Sequence, residues 1–183
     1  MENKYKIIAL FGKSGAGKDT LLRDLDNLDN NYKKIITTTT RPKRDYEKDN
    51  IDYHFIEPLE FAKKILNGDF IEATSFNDWF YGTDIHELSL ENINIGVFNI
   101  QAIECMLDDP CLKVYPIYID ASDKTRLLRN LNREEEPNCQ EICRRFLADL
   151  KDFDDIPFKY YSFKNEDGLK YFKLDSFIQG IIN

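Results

Sequence analysis

A glycine-rich stretch close to the N-terminus has the residue types and the spacing of a phosphate-binding loop. Gly12 is followed by four residues and then by Gly17 and Lys18. Glycines in this arrangement let backbone N–H groups point inward at an anion, while the lysine reaches its outer oxygens. The spacing therefore predicts a loop that holds a polyphosphate, a P-loop.

The segments on either side of this loop are those that the chemistry requires. The apolar run 7–11 predicts a buried strand, and the residues from Thr20 onward predict a helix. The apolar residues of this helix fall on one side, at Leu21, Leu22, Leu25 and Leu28. Such a helix directs the positive end of its dipole at the bound anion. Asp19 departs from the pattern, because serine or threonine normally offers magnesium a hydroxyl there.

Composition narrows the class of protein. The chain has 183 residues, which suits one α/β domain with inserted lobes. Its 33 acidic and 25 basic residues give no overall field that would attract nucleic acid or an anionic membrane. No apolar run is long enough to span a bilayer, and the N-terminus leads directly into a strand. We therefore expect a soluble, cytoplasmic protein with no nucleic-acid or membrane partner.

The cysteines and histidines have no metal-binding spacing. The cysteines, none in a CxxC pair, are Cys105, Cys111, Cys139 and Cys143. His54 and His86 are distant from them in sequence. Cys139 and Cys143 lie one helical turn apart, but two ligands alone make a poor site, so reduced structural thiols are expected.

The order of elements predicts a parallel sheet with helices on both faces. Apolar runs around Ile7, Ile95 and Val114 alternate with helical segments, whereas closely spaced strands in 35–91 predict an inserted lobe. Strands are expected at 33–40, 51–56, 70–74, 94–100, 112–119 and 159–163, and helices at 57–67, 84–90, 101–107, 122–132, 140–152 and 169–182. The predicted apolar face of helix 57–67 is Leu59, Ala62, Ile65 and Leu66, with Gly68 as its stop.

Five motifs in sequence order resemble those of the guanylate kinases. They are the P-loop, 37–44 (TTTTRPKR), 52–55 (DYHF), 70–72 (FIE) and 80–83 (FYGT). The resemblance covers nearly the whole chain and implies one domain over 1–183. Its expected parts are a three-layer P-loop core with a parallel sheet (about 1–34, 92–127 and 150–183), a GMP-binding lobe of mixed sheet (about 35–91) and a helical lid (about 128–149).

The resemblance also implies the reaction, which is transfer of the γ-phosphoryl group of ATP to GMP or dGMP with Mg²⁺ as cofactor. The implied ATP-binding residues are Gly12, Ser14, Gly15, Ala16, Gly17, Lys18, Asp19, Thr20, Arg129 and Asn165. Asn165 matches a family position beside the adenine, although a plain turn asparagine is the alternative. In the lid, Arg129, Arg133 and Arg144 have the spacing of the family arginines around the transferring phosphoryl group, and Glu135 replaces a further one.

The acceptor side of the site has its own residue types. Arg41 and Arg44 follow a predicted strand and offer planar forks for a phosphate. Glu72 has the family position of a carboxylate that accepts hydrogen bonds from guanine N1–H and the N2 amino group. By resemblance, hydroxyl groups complete this site at Thr37, Tyr53, Tyr81 and Thr83.

Two amides stand where the family usually carries aspartates. Asn99 replaces the usual acid near magnesium, and Gln101 replaces one of the acids that contact guanine. We hypothesise that Asp19 supplies the carboxylate that Asn99 no longer offers to the metal. The amide of Gln101 can donate as well as accept, so selectivity for guanine is expected to be softer.

Two other functions stay open. Gln101 and the Gly-Lys-Asp-Thr sequence also suit a broader nucleoside monophosphate kinase, including one for deoxynucleotides. A non-catalytic guanylate-kinase-like module would use the acceptor-phosphate site for a phosphorylated peptide, but such a module has no need of Lys18 or of lid arginines. A monomer and a homodimer are equally compatible with the sequence.

Overall fold

The structure is a computed structural model that describes residues 4–26, 31–45, 47–76, 78–133, 135–166 and 171–182. The strands are β1 (Tyr5–Phe11), β2 (Tyr32–Lys34), β3 (Thr38–Thr39), β4 (His54–Phe55), β5 (Phe70–Phe76), β6 (Trp79–Asp84), β7 (Ile93–Val97), β8 (Leu112–Asp120) and β9 (Tyr161–Lys164). The helices are α1 (Lys18–Asp26), α2 (Pro58–Asn67), α3 (Ile100–Leu107), α4 (Asp123–Leu131), α5 (Cys139–Asp152) and α6 (Tyr171–Ile182). Leu28 lies outside the described residues.

The larger sheet is parallel, as predicted. Its strand order is β2-β7-β1-β8-β9, and every adjacent pair runs parallel. The central strand β1 pairs with β7 and β8, so that Ile8 lies opposite both Ile95 and Tyr115. Residues 7–11 are fully buried because both faces of this strand are covered. This explains why β1 is an unbroken apolar run rather than an alternating one.

Helices cover the two faces of this sheet and form a three-layer core. On one face, Leu21 and Leu25 of α1 and Leu174 and Ile178 of α6 are at most 2% exposed. On the other face, α3 buries Ala102, Ile103 and Met106. Burial of a Leu, Ile or Met side chain stabilises a fold by about 1.5–3 kcal/mol. The two apolar clusters therefore hold fixed the carboxyl end of β1, from which the P-loop emerges.

The inserted lobe contains a mixed sheet with strand order β4-β3-β6-β5. β3 pairs parallel with β4 and antiparallel with β6, and β5 pairs antiparallel with β6. The prediction of one strand over 33–40 is wrong, because β2 belongs to the large sheet and β3 to the small one. The run is β-branched from Ile35 to Thr40, so its sequence contains no signal for the change of sheet. The strand predicted at 51–56 is likewise reduced to β4.

Helix α2 is where predicted, but its apolar face is not the one that is buried. Leu59 is 71% exposed and Leu66 is 86% exposed. The buried residue is Phe61, whose ring centroid lies 4.7 Å from Phe70 and 5.5 Å from Phe80. One aromatic ring fills the narrow space under the helix, which leaves most of the apolar positions in solvent. Gly68 ends the helix with a φ of 74°, as expected.

Helices α4 and α5 follow β8 and lie over the P-loop side of the core. Ser122 caps α4 by accepting from the N–H of Thr125, and Asn138 caps α5 by accepting from that of Glu141. Phe153, at the end of α5, stacks on Phe11 at 6.4 Å. The helix predicted over 84–90 is only a 3₁₀ turn at Ile85–Glu87. Among the described helices, none combines the length and the apolar character needed to cross a membrane.

Candidate functional site

The P-loop connects β1 to α1 in a conformation that requires glycine. Gly12, Gly15 and Gly17 have φ values of 142°, 79° and 92°. A Cβ at Gly12 would lie 2.6 Å from the carbonyl oxygen of Ile119, and one at Gly15 would lie 2.5 Å from that of Arg126. The strand, the loop and the helix therefore have the arrangement that the spacing predicted.

Lys18 folds back over this loop. Its Nζ donates to the carbonyl oxygens of Gly12 at 2.7 Å and Lys13 at 3.2 Å. Burial lowers the pKa of Lys18, against the opposing charges of Asp19 and Asp149. A cation that has lost part of its hydration and donates to backbone carbonyl groups interacts strongly with an incoming phosphate.

Arg129 and Asn165 hold the outer side of the P-loop. The amide of Asn165 donates to the carbonyl oxygen of Ala16 at 2.7 Å, and this side chain is buried. Arg129 also donates to Ala16 O, at 3.2 Å, and to the carbonyl oxygens of Asn165 and Glu166. Asn165 is therefore more than a turn residue, since it links β9 to the loop.

In the small lobe, Arg41 is organised by a carboxylate that the sequence analysis missed. The guanidinium of Arg41 donates to both oxygens of Glu47, at 2.7 and 3.0 Å, and each side chain is 7% exposed. Glu47 also accepts from the backbone N–H of Arg44 at 2.8 Å. Burial alone would raise the pKa of Glu47, but these hydrogen bonds outweigh it and the pKa is lowered. The position of Glu47, an acidic residue three positions after Arg44, was the sequence signal that could have indicated this pair.

Aromatic rings define the other side of Arg41. Its guanidinium carbon lies 5.3 Å from the ring centroid of Tyr53 and 5.6 Å from that of Phe55. Tyr53 and Tyr81 meet edge to face at 6.3 Å. Burial and the nearby charge of Asp19 raise the pKa of Tyr53, so its hydroxyl stays protonated and available as a donor. The predicted residues Arg41, Tyr53 and Tyr81 are thus brought together.

Glu72 is buried with half of its carboxylate unpaired. Thr83, its cross-strand neighbour, donates from Oγ1 to Glu72 Oε1 at 2.7 Å. Oε2 is buried and has no hydrogen-bond partner among the described residues. Burial raises the pKa of Glu72 to about 7. A buried carboxylate oxygen without a donor is what a site for a ligand with N–H groups would have.

The remaining predicted acceptor residues differ in burial and in their partners. Thr37 is buried just before β3, whereas Gln101 is exposed in the first turn of α3. Asn99 caps α3 by accepting from the N–H of Ala102 at 2.7 Å, and it donates to Thr74 Oγ1 at 3.0 Å. Through these two hydrogen bonds, Asn99 connects α3 to β5.

Arginines from three segments line a cleft of about 70 Å³ between the small lobe and the helices α4 and α5. The cleft is lined by Arg44, Asn130, Arg133, Pro137, Asn138, Glu141, Ile142 and Arg145. Arg144, which the spacing had suggested, is not among them. It is exposed and donates to both oxygens of Glu141, at 2.7 and 2.9 Å. Residues one apart on a helix are rotated by about 100°, so the structure directs Arg145 to the cleft and Arg144 away from it.

Asp19 is a carboxylate next to the lysine of the P-loop. It is exposed at the start of α1, directly after Lys18, and its charge acts on both Lys18 and Tyr53. It therefore lies between the P-loop and the acceptor residues. Among the described residues, no three His, Cys, Asp or Glu side chains form a metal-binding group. One carboxylate nevertheless suits Mg²⁺, which in such sites is held mainly by phosphates and water.

The fold and the glycine-rich loop together define a class, the P-loop α/β proteins that carry an inserted lobe with a mixed sheet. A solved structure of guanylate kinase from Anaplasma phagocytophilum shares this fold, with a TM-score of 0.68 over 98% of this chain and 85% of that one, at 19% identity.

Sequence comparison identifies the family. The guanylate kinase family model matches residues 4–179. Guanylate kinase from Campylobacter jejuni (strain RM1221) is 32% identical over 144 residues, which is 76% of this chain and 70% of that protein. The Frankia casuarinae guanylate kinase is 29% identical over 160 residues, covering 82% and 86% of the two chains. The chain belongs to the guanylate kinase family.

Proposed function

We propose that the chain is an ATP:GMP phosphotransferase that transfers the γ-phosphoryl group of ATP to GMP or dGMP. The observation that carries the choice of guanine is the buried Oε2 of Glu72, which has no hydrogen-bond partner among the described residues and lies beside the Thr83-bound Oε1. Guanine presents two adjacent donors, N1–H and the N2 amino group, whereas adenine presents an acceptor and a donor. A base without two adjacent donors leaves an oxygen of this buried carboxylate unpaired, which makes its binding much less favourable.

The donor half of the reaction belongs to the P-loop. Its amides and Lys18 hold the β- and γ-phosphates of ATP, while Arg129 and Asn165 keep the loop in shape by donating to Ala16 O. Lys18 exchanges its carbonyl partners for phosphate oxygens. Positive charge placed in advance where negative charge gathers is the main source of rate in phosphoryl transfer.

The acceptor half needs no strong base. An oxygen of the GMP phosphate, already anionic near neutral pH, forms the new bond to the γ-phosphorus. The bond to the β–γ bridging oxygen breaks, and its electron pair leaves with ADP. Arg41, Arg44, Tyr53 and Tyr81 orient the acceptor phosphate, and Arg133 and Arg145 neutralise charge from the lid. We assign Arg145 this role in place of Arg144 because Arg145 lines the cleft.

Mg²⁺ fits the donor set, and Asp19 would hold it, directly or through water. When bound, the ion neutralises charge on the β- and γ-phosphates. We expect Asp19→Asn and Asp19→Ser to raise the Mg²⁺ concentration needed for half-maximal turnover by about tenfold, since each removes the carboxylate. Titration of Mg²⁺ at saturating ATP measures this shift. Both variants matching the unmodified chain would rule out Asp19 as the ligand.

An assay of ADP release with ATP and Mg²⁺ against GMP, dGMP, AMP, CMP, UMP and dTMP tests the proposal. A clear preference for the guanine nucleotides is expected. Similar rates across the bases would favour a broader nucleoside monophosphate kinase, a possibility supported by the exposed amide of Gln101. Inactivity on all six would leave the phosphopeptide-binding module as the alternative.

A further inference from the structure

Two donors converge on one carboxylate oxygen at the P-loop. The backbone N–H of Ser14 donates to Asp149 Oδ2 at 2.8 Å, and Nη1 of Arg126 donates to the same atom at 3.0 Å. Asp149 belongs to the lid helix α5 and lies 135 residues after Ser14. The P-loop is the part of the chain that is shaped to bind anions, so a carboxylate from the lid lies where a phosphate oxygen is expected.

Within the described part of the chain, some of the Arg126 guanidinium is left without an acceptor at this point. Its side chain is 1% exposed, and its guanidinium carbon lies 4.8 Å from the ring centroid of Phe146. Nη2 approaches Asp123 only to 3.4 Å, and neither Nε nor Nη2 has a hydrogen-bond partner among the described residues. A buried guanidinium with unmet donors is unfavourable unless another acceptor arrives.

A phosphoryl group matches these donors better than a carboxylate does. It has three terminal oxygens and a larger charge, and its tetrahedral shape can satisfy a backbone amide and an arginine together. Burial raises the pKa of Asp149 despite the donors around it, which indicates that the carboxylate is held there unfavourably. Lys18 is close enough for its charge to interact with both Arg126 and Asp149.

We propose that Arg126 is a further phosphate-binding residue. In the ligand-free chain the carboxylate of Asp149 takes the place of a phosphate on the P-loop, and a bound polyphosphate displaces this carboxylate. Ser14 N–H and Arg126 then exchange the carboxylate of α5 for phosphate oxygens. Because Asp149 is part of α5, the exchange also frees the lid helix from the loop. This inference rests on the proposed function only in taking the loop to bind the phosphates of ATP.

Binding of inorganic tripolyphosphate in EDTA, measured by calorimetry, tests the exchange without metal or nucleoside. Asp149→Asn removes the competing charge and is expected to tighten binding by about tenfold. The matched control is Asp152→Asn, which removes the same charge from an exposed site on the same helix and should change affinity less than twofold. Adding Arg126→Met to Asp149→Asn should abolish the gain. Unchanged or weaker binding by Asp149→Asn would overturn the proposal.

A second measurement does not depend on how well the variants fold. In the unmodified chain, the backbone amide resonance of Ser14 and the Nε–H resonance of Arg126 should both shift on addition of tripolyphosphate. If both stayed in place while the ligand bound, the exchange would be refuted. The kinase assay separates the two proposals. No transfer to any nucleotide, combined with tighter binding by Asp149→Asn, would remove the proposed function and keep the exchange.

Discussion

Arg41 and Glu47 are buried together beside Tyr53, and each depends on the other for its charge to be tolerated. Burial lowers the pKa of Arg41, but hydrogen bonds to Glu47 outweigh this effect and raise it overall. The pair therefore stays charged at neutral pH. Glu47 also accepts from Arg44 N–H, so one carboxylate fixes both arginines that we assign to the acceptor phosphate.

Glu47→Gln is expected to weaken phosphate capture and stability together. It keeps the shape of the side chain but leaves the Arg41 cation without a counter-ion, a change that costs about 3–5 kcal/mol for buried pairs. We expect kcat/KM for GMP to fall by about tenfold to a hundredfold. Chemical denaturation and steady-state assays measure the two effects. The exposed Glu57→Gln is the control, and a variant with unaltered GMP kinetics would show that Glu47 does not position Arg41.

We expect Glu72 to make the binding of GMP depend on pH. Only the ionised carboxylate can accept from both guanine donors, and its pKa in the ligand-free chain is about 7. We expect the KM for GMP to fall as pH rises through 7, over and above the titration of GMP itself. Glu72→Gln should bind GMP weakly and lack the pH dependence that comes from Glu72. The ratio of the KM values of the two proteins at each pH therefore isolates the contribution of Glu72. A ratio that is flat between pH 5.5 and 8.5 would contradict the assignment.

The same pKa has an opposite effect on stability. A glutamate in the unfolded chain titrates at its ordinary pKa of 4.5, whereas Glu72 in the folded chain has a pKa of about 7. Between these two values the folded chain holds a proton that the unfolded chain has lost. The free energy of unfolding therefore falls as pH rises across this window, by about 3 kcal/mol at most. Glu72→Gln should remove this decline in the ligand-free chain, which denaturation at pH 5 and pH 8 can measure.

Helix α5 carries two adjacent arginines whose side chains lie on different sides of the helix. Both contact Glu141, but Arg145 also lines the cleft with Arg44 and Arg133, while Arg144 is exposed. The spacing of basic residues along the sequence could not distinguish them, since the loop before α5 sets the rotation of the helix. The sequence of α2 likewise did not indicate which of its apolar residues is buried, because the burial of Phe61 depends on packing against the small sheet.

Arg145→Ala should therefore lower kcat far more than Arg144→Ala. Removing one preorganised charged donor from a phosphoryl-transfer site typically costs a factor of about 10²–10³. For Arg144→Ala, which loses an exposed ion pair, we expect less than about a threefold change. Each variant is the control for the other in single-turnover assays with ATP and GMP. Equal losses, or a larger loss for Arg144→Ala, would return the role to Arg144.

Over the whole molecule, sequence was most informative where function depends on local spacing. The P-loop, Glu72 and the parallel core could be recognised because glycine spacing, short motifs and apolar runs are contiguous in the chain. Contacts between distant segments had no such signal. Asp149 meets Ser14 across 135 residues. The change of sheet between β2 and β3 depends on which strands lie alongside each of them, and the β-branched residues 35–37 between them carry no signal for it.

The two halves of the site lie on different sheets, so each substrate should stabilise the whole chain through its own half. A ligand at a hundred times its Kd adds about 2.7 kcal/mol to the free energy of unfolding. In EDTA, which limits turnover, we expect ATP and GMP each to raise Tm by roughly 5–10 °C. Lys18→Ala should lose the rise in Tm with ATP and keep the rise with GMP. Glu72→Gln should lose the rise with GMP and keep the rise with ATP. The site that remains intact in each variant is its internal control. If either variant lost both responses, the loop and the lobe would act as one site and the division of roles between the two sheets would be wrong.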